Sequence, residues 1–415
     1  MKFDAIIIGG GLSSLVCGIR LQEAGKQCLI VSAGQNALHF STGTFGLLGR
    51  LPDGTAVEEP LLDIPKLPEN HPYSKIGIER IKEYAAGVIP FFRKYGIKLC
   101  GFNGANGWRF TPMGTFKPAW LALEEIPFFK SPDEVIGHKA LIANFAGFMD
   151  FNSVFIAEGL EKKGLSCRIE SVKLKVVENL RANPTEMRSI NIARVMEQEE
   201  CWKEFGRRVH SLLKDEDVVV LPEVFGLNNP LVCDWVREMI KANVLFVGTM
   251  PPSVAGIRTQ KLLKKAFENI GGTFLMGDEA LSSSISDGVV TSIKTRNLDG
   301  TLLEADDFVL ASGHLFAHGL VASPGKIEEP VFGLDVDFVP DRNEWYDKNF
   351  FEKPNYLGFG VVTDSRFRAF KNGSLVDNVY VIGSEVGGCN SLSEGSGAGV
   401  AIMTALRVAD EIIGG

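Results

Sequence analysis

The chain opens on a β-branched apolar run, Ala5-Ile6-Ile7-Ile8, closed by Gly9-Gly10-Gly11. Leu12, Leu15, Val16, Ile19 and Leu21 then recur at helical spacing, and Gly25 ends that helix as a C-cap. Cys28 to Val31 is a second apolar run. Strand, glycine turn, helix and strand make a βαβ opening and predict a parallel sheet.

The pattern then breaks. Pro52, Pro60, Pro65, Pro68 and Pro72 punctuate the chain from Leu51 to Gly77, which reads as loop and domain crossing. From about 78 to 250 the elements are mixed. A helix is expected over 78–95 and a Gly/Pro/Trp-rich loop over 101–120. Another helix opens at Asn183-Pro184-Thr185-Glu186, with N-cap, Pro at N1 and Glu at N3. Val218 to Leu221 and Val244 to Val247 read as buried strands flanking a helix. Lys261 to Ile270 is helical and ends in Gly271-Gly272. A meander follows, with turns at Asp287-Gly288 and Asp299-Gly300, and it leads into the buried strand Phe308 to Ala311. Residues 325–370 read as irregular. The last elements are a strand, Asn378 to Ile382, and a helix from about Gly397 to Ile413.

Composition narrows the function classes. The 415 residues predict two or three domains, enough for a large core without disulfide or metal staples. Forty-three basic and 51 acidic residues leave a net charge of −8, without a long Lys/Arg cluster, which argues against nucleic-acid binding. No run approaches the ~18 apolar residues of a membrane span. Asp4 and the glycine break after Ile8 argue against a signal peptide. The seven cysteines, Cys17, Cys28, Cys100, Cys167, Cys201, Cys233 and Cys389, include no C-x-x-C pair, so the usual iron–sulfur and zinc cradles are not expected. Such scattered thiols read as cytosolic and reduced. The 45 glycines are in excess, and they mark the candidate chemistry.

Gly9-x-Gly11-x-x-Ser14 follows a strand and opens a helix. The first glycine permits the turn, the second lets backbone approach a phosphate, and the third position packs helix on strand. Ser14 enlarges that third position. An acid is expected at the end of the second strand to hold an adenosine ribose. Ser32 stands there instead, so a dinucleotide loses its usual anchor, which leaves two readings: a dinucleotide bound more weakly, or a flavin mononucleotide, which has no such ribose. Phe308-Val309-Leu310-Ala311-Ser312-Gly313 resembles the strand and small-residue turn of two-domain flavoproteins. Asn378-Val379-Tyr380-Val381-Ile382-Gly383-Ser384 resembles their last strand, which meets the flavin ribityl. There an acid commonly follows the glycine, whereas here Ser384 does and Glu385 comes one later. Gly395-Ser396-Gly397-Ala398-Gly399 opens the last helix, whose N–H groups would face the flavin pyrimidine.

The expected architecture is therefore α/β, a Rossmann-like FAD/NAD(P)-binding flavoprotein fold with a discontinuous cofactor domain and an inserted α+β cap. The cofactor domain is expected over 1–60, 251–324 and 371–415, and the cap and partner-interface domain over 61–250 and 325–370.

Over essentially its whole length the chain resembles the B subunit of anaerobic glycerol-3-phosphate dehydrogenase. Ala37-Leu38-His39-Phe40-Ser41-Thr42-Gly43, Leu51-Pro52-Asp53-Gly54 and His71-Pro72-Tyr73-Ser74 carry the resemblance. So do Asn191-Ile192-Ala193-Arg194, Pro251-Pro252-Ser253-Val254-Ala255-Gly256-Ile257-Arg258, Gly333-Leu334-Asp335-Val336 and Glu344-Trp345-Tyr346. The resemblance implies a flavoprotein subunit that contains FMN, with FAD as the alternative. It implies an FAD-containing A subunit and an iron–sulfur C subunit as partners, the latter docking the complex on the cytoplasmic face of the inner membrane. It implies oxidation of sn-glycerol 3-phosphate to dihydroxyacetone phosphate, with electrons passed to quinone. Two alternatives remain: a non-catalytic, flavoprotein-like scaffold that positions the A and C subunits, and a nicotinamide-dependent dehydrogenase, which would not need the C-terminal flavin segments.

Three residues are candidates for catalysis. His39 lies in the loop after the second strand, where His39, Ser41, Thr42 and Gly43 would approach the flavin ring. Arg258 could hold a phosphate bidentately or stabilise reduced flavin, or form a salt bridge. His314 follows a strand's C-terminal end and could act as a base, with His318 as its alternative. Gly9, Gly11, Ser14, Ser32, Ser41, Thr42, Gly43, Ser312, Gly313, Gly383, Ser384, Gly397 and Ala398 are the cofactor candidates. Trp108, Trp120 and Trp345 read as core or interface. No metal constellation is expected.

Overall fold

The computed structural model describes residues 2–183, 187–349 and 352–414. The helix start expected at Asn183-Pro184-Thr185-Glu186 lies, beyond Asn183, outside the described residues. The chain forms two compact units: Met1–Ala37, Phe45–Gly96 and Leu262–Gly415 make the first, and Leu38–Thr44 with Ile97–Lys261 the second. Residues 61–96 and 325–370, expected in the cap, belong to the first unit. The helix Ile78–Lys94 explains part of this, because its apolar face (Ile81, Tyr84, Val88 and Phe92) is buried.

The first unit is built on β1 (Lys2–Ile8), α1 (Leu12–Glu23) and β2 (Cys28–Ser32). The main sheet runs Thr273–Met276, β2, β1, Leu303–Leu310, Val289–Thr295, Ala280–Ser286, with Ser374–Val381 also paired to Leu303–Leu310. The core of the sheet is parallel. Ile8 pairs with Val31 on one side and Leu310 on the other, and Leu310 pairs with Val381. These strands are covered on both faces, so they read as unbroken apolar runs rather than alternating ones. The turn of the expected meander is real: Asp287 and Gly288 adopt φ of +50° and +79° between two antiparallel strands.

The second unit has a four-stranded sheet in the order Ser166–Val172, Lys139–Phe145, Val218–Pro222, Asn243–Val247, and every neighbouring pair is parallel. Helices connect its strands, as parallel pairing requires. Beside this parallel sheet the unit carries antiparallel pairs, Leu99–Gly101 with Leu121–Leu123 among them. The expected loop over 101–120 contains two strands, Gly107–Phe110 and Phe116–Ala119, that pair antiparallel. Its Gly and Pro content hid them: Pro118 stands on the outer strand of that three-stranded sheet, where no donor is missed.

Candidate functional site

The carboxyl edge of the main sheet gathers the first group of candidates. Each strand's ladder extends one residue beyond its end: Gly9 N donates to Val31 O at 2.8 Å, Ala311 N to Ile8 O at 2.8 Å, and Ile382 N to Leu310 O at 3.0 Å. The turns Gly9–Gly11, Ser312–Gly313 and Gly383–Ser384 therefore leave the sheet side by side. Ligands of open α/β sheets sit at this edge.

The glycine turn is obligatory. Gly9 has φ +117°, and a Cβ there would lie 2.1 Å from Ala311 O. At Gly10 a Cβ would lie 2.2 Å from Ser32 Oγ. Gly11 is the N-cap of α1 without a side-chain cap, and the first turn holds no acid. A Cβ on Gly11 would meet only Asn36 Cβ, at 3.9 Å. The start of α1 thus carries neither a side-chain cap nor an acid, and a helix start of this kind is a cradle that fits the phosphate of a flavin. Ser14 lies elsewhere. It is fully buried, and its Oγ has no hydrogen-bond partner among the described residues, so it packs helix on sheet rather than lining the cradle. Ser32 is likewise buried, with its side chain against Gly10 and its hydroxyl 3.5 Å from Gly34 O. The end of the second strand thus offers an adenosine ribose a buried hydroxyl and no carboxylate.

Ser312 is not available as a free hydroxyl. It donates to both Glu385 carboxyl oxygens at 2.9 and 3.0 Å, and Gly313 N donates to Oε2 at 3.2 Å. Glu385 is completely buried, and burial, reinforced by the nearby Glu329 carboxyl, pushes its carboxyl well above the usual range. Ser384 is exposed beside Gly313, with its Oγ 4.0 Å from a Gly313 Cβ position. Gly383 has φ +74°, and its N–H donates to Thr404 Oγ1 at 2.9 Å.

His314 sits at the N-cap of a short turn, and its Nε2 lies 2.9 Å from Phe359 O. A carbonyl only accepts, so Nε2 carries the proton and Nδ1 keeps its lone pair. Among the described residues Nδ1 has no partner. Burial lowers the imidazole below its ordinary value, despite the Phe359 hydrogen bond that raises it. The ring is therefore neutral at neutral pH. The residue that supplies this carbonyl is itself tied back, since Phe359 N donates to Tyr356 O at 3.3 Å. His318 is exposed with φ +61° and closes the turn.

The last helix, Gly397–Gly414, begins without an acid in its first turn, and Gly397 is exposed. A buried relay fixes that start. His71 Nδ1 accepts from Tyr73 N at 3.0 Å, so His71 Nε2 carries the proton it donates to Glu394 Oε2 at 3.2 Å. Ser396 Oγ also donates to Glu394 Oε2, at 2.9 Å. Burial pushes the Glu394 carboxyl up, but the His71 and Ser396 hydrogen bonds outweigh it and hold the group below its ordinary value. Sequence reasoning gave His71 and Glu394 no role, because nothing local links residues this far apart in the chain.

The second unit holds the other candidates. His39 Nε2 lies 2.5 Å from Gln260 Oε1, and His39 O accepts from Ser253 N at 2.7 Å. Thr42 Oγ1 accepts from Arg109, and Gly43 takes φ +79°. Arg258 is corrected from a phosphate or flavin ligand to a core ion pair. Its Nη1 donates to Phe225 O at 3.1 Å and to Gly226 O at 2.8 Å, and its Nη2 to the Glu125 and Glu223 carboxylates. Those acids outweigh the effect of burial and raise the guanidinium further. Glu223 also accepts from Ala255 N at 2.9 Å, and burial pushes it up to about 7 although Arg258 pulls the other way.

A family model described as an FAD binding domain matches residues 4–400. The chain is 38% identical over 417 residues to the B subunit of anaerobic glycerol-3-phosphate dehydrogenase from Yersinia pseudotuberculosis serotype I (strain IP32953), spanning 100% of this chain and 98% of that protein. The protein of the same name in Glaesserella parasuis serovar 5 (strain SH0165) is 35% identical over 427 residues, spanning 100% of both. The chain belongs to the B-subunit family of anaerobic glycerol-3-phosphate dehydrogenase. Among solved structures, 3-ketosteroid delta1-dehydrogenase from Sterolibacterium denitrificans aligns over 100% of this chain and 99% of its own, at 11% identity and TM-score 0.45. Glycine oxidase from Bacillus cereus aligns over 100% and 95%, at 12% identity and TM-score 0.35.

As a member of this family the chain is an oxidoreductase with a flavin-binding domain. The family's name makes it part of multi-subunit dehydrogenases. Among the described residues no helix is long and apolar enough to cross a membrane.

Proposed function

We propose that the chain is the flavin mononucleotide subunit of a membrane-docked dehydrogenase that oxidises sn-glycerol 3-phosphate to dihydroxyacetone phosphate. The observation that carries this reading is His314. A neutral imidazole with a free Nδ1 stands at the carboxyl edge of the sheet, next in the chain to the turn Ser312–Gly313. When bound, a flavin supplies a two-electron acceptor for the substrate's hydride. The chain's own residues do the rest. The uncapped start of α1 holds phosphate, and the N–H groups at Gly397 and Ala398 stabilise negative charge. His314 takes the hydroxyl proton at Nδ1 as the alcohol carbon becomes a ketone. Ser32 in place of a ribose acid supports the mononucleotide over the dinucleotide. The scattered cysteines offer no cluster cradle, so electrons leave through an FAD-containing A subunit and an iron–sulfur C subunit to quinone. Those partners hold the chain on the cytoplasmic face of the inner membrane.

A second reading has one observation behind it. Glu385, the acid nearest the ribityl position, is turned inward onto Ser312 and Gly313, as it would be in a scaffold that binds no flavin. Mass spectrometry of the cofactor extracted from each separated polypeptide of the purified complex distinguishes these readings. FMN from this chain is expected. FAD overturns the mononucleotide assignment, and a colourless chain in an active complex overturns the catalytic one.

A further inference from the structure

Arg109 is a half-buried cation without an anion among the described residues. It lies on the strand Gly107–Phe110, and its one hydrogen bond among the described residues runs from Nη1 to Thr42 Oγ1. No carboxylate pairs with it among those residues. By contrast Arg258, in the same unit, is wrapped by two acids. A desolvated charge left without a counter-ion is costly, and folded chains rarely keep one without use. Burial alone accounts for the lowering of the Arg109 guanidinium, with no acid offsetting it.

Its surroundings increase the positive charge. Arg109 pairs directly with Lys117 across the hairpin, so two cations share one face at neighbouring positions. Lys117 is exposed and makes no ion pair among the described residues. Like charges opposite each other repel unless an anion lies between them. The hydroxyl beside them is held in place. A Cβ at Gly248 would approach Thr42 Cγ2 to 3.0 Å, so glycine there lets the loop lie close. Thr249, the next residue, is 3% exposed, and its Oγ1 has no hydrogen-bond partner among the described residues.

We propose that Arg109, Lys117 and Thr42 form a binding site for the dianionic phosphate of a phosphomonoester. A planar guanidinium offers two parallel donors to phosphate oxygens, an ammonium adds a mobile second charge, and the threonine orients the first. The flavin's own phosphate is placed at the α1 cradle, so the phosphomonoester here is a substrate such as sn-glycerol 3-phosphate, and only this choice of occupant rests on the proposed function.

The test titrates the full-length, purified chain with inorganic phosphate and with glycerol 3-phosphate by calorimetry, comparing wild type with R109Q and K117Q. Wild type binds both saturably and competitively. R109Q weakens both about tenfold or more, as loss of a charge-assisted contact does, and K117Q weakens them a few-fold. R109Q also raises the melting temperature in phosphate-free buffer, because it removes an unpaired charge. An arginine with a merely structural role would lower it. Retained flavin with weakened glycerol 3-phosphate assigns the site to substrate. A folded R109Q purified without flavin overturns the assignment to substrate. If R109Q does not fold, the exposed K117Q and the wild-type titration decide. No saturable phosphate binding by wild type, or unchanged affinity in R109Q, overturns the site. Turnover with an unchanged KM in R109Q removes the site and leaves the proposed function. Phosphate binding without turnover by the assembled complex does the reverse.

Discussion

The Glu385 carboxyl accepts the Ser312 hydroxyl at 2.9 Å and so ties the turn after one central strand to the loop after its neighbour. The same carboxyl receives Gly313 N, which fixes the two residues before His314. Burial, with the nearby Glu329 carboxyl, pushes it well above the usual carboxylate range and so favours the protonated form. E385Q therefore replaces a neutral acid by a neutral amide and costs about 1 kcal/mol or less. E385A leaves a hydroxyl and an N–H unpaired over a cavity and costs roughly 2–4 kcal/mol. The folded carboxyl holds its proton to higher pH than the unfolded one. This group's contribution is thus full below the ordinary value of 4.5 and falls as pH rises above it. Urea unfolding of both variants against pH checks this: E385Q flattens that decline. Equal destabilisation by Gln and Ala would sink the neutral-acid assignment.

His314 Nδ1 is the only ring nitrogen left for a substrate proton, since Nε2 is committed to Phe359 O. H314Q lowers kcat/KM of the assembled complex by about 10²–10⁴-fold with flavin content unchanged. Because burial lowers the imidazole, the acid limb of the wild-type kcat/KM profile lies below the ordinary histidine value of 6.5. A limb above that value, or an H314Q enzyme within a few-fold of wild type, removes His314 from the chemistry.

Gly10 and Ser32 are matched to one another. A methyl on Gly10 would meet Ser32 Oγ at 2.2 Å and Ser32 Cβ at 2.7 Å, with Phe274 Cζ farther off at 3.2 Å. G10A alone destabilises the chain and empties the flavin site. S32G added to it removes both of the nearest atoms and restores part of the loss, with a coupling of about 1–2 kcal/mol in a double-mutant cycle. Additive effects in denaturant titration contradict this pairing.

The same pair marks how far the sequence could be read. The βαβ opening, the glycine turn and the two C-terminal strand ends were legible because each is a local signal: apolar period, β-branching and glycine at fixed offsets. Ser32 was legible as a missing acid, but its packing on Gly10 was not, since that contact joins two strands. Arg258 showed the limit in the other direction. Its place after Pro251-Pro252-Ser253 suggested a ligand, yet Glu125 and Glu223 close on it from distant segments. The cap boundaries failed for a similar reason. Prolines at 52–72 mark loops, but the helix Ile78–Lys94 beyond them packs with the first unit, and only tertiary contact decides that. Glu385 and His71 carried no local signal, because their partners lie tens to hundreds of positions away.

His71 and Glu394 form a buried pair beneath the start of the last helix, at 0% and 3% exposure. His71 makes two bonds of different kinds: it caps Tyr73 N through Nδ1 and donates to Glu394 through Nε2. Asparagine is a strong N-cap, so H71N keeps the first bond and loses the second. It leaves a buried carboxylate short of a donor and costs about 3–5 kcal/mol if that charge is retained. Glu394 is held below its ordinary value in the folded chain, so its contribution is present above 4.5 and lost as pH falls through the folded value. H71N therefore destabilises most at neutral pH and least in acid, where Glu394 is protonated in both proteins. E394Q, already neutral, removes the acid dependence and keeps a weaker hydrogen bond to Ser396. Thermal unfolding of the three proteins from neutral to acid pH measures this: the gap between wild type and H71N closes on acidification. A gap independent of pH shows that His71 acts through the Tyr73 cap alone.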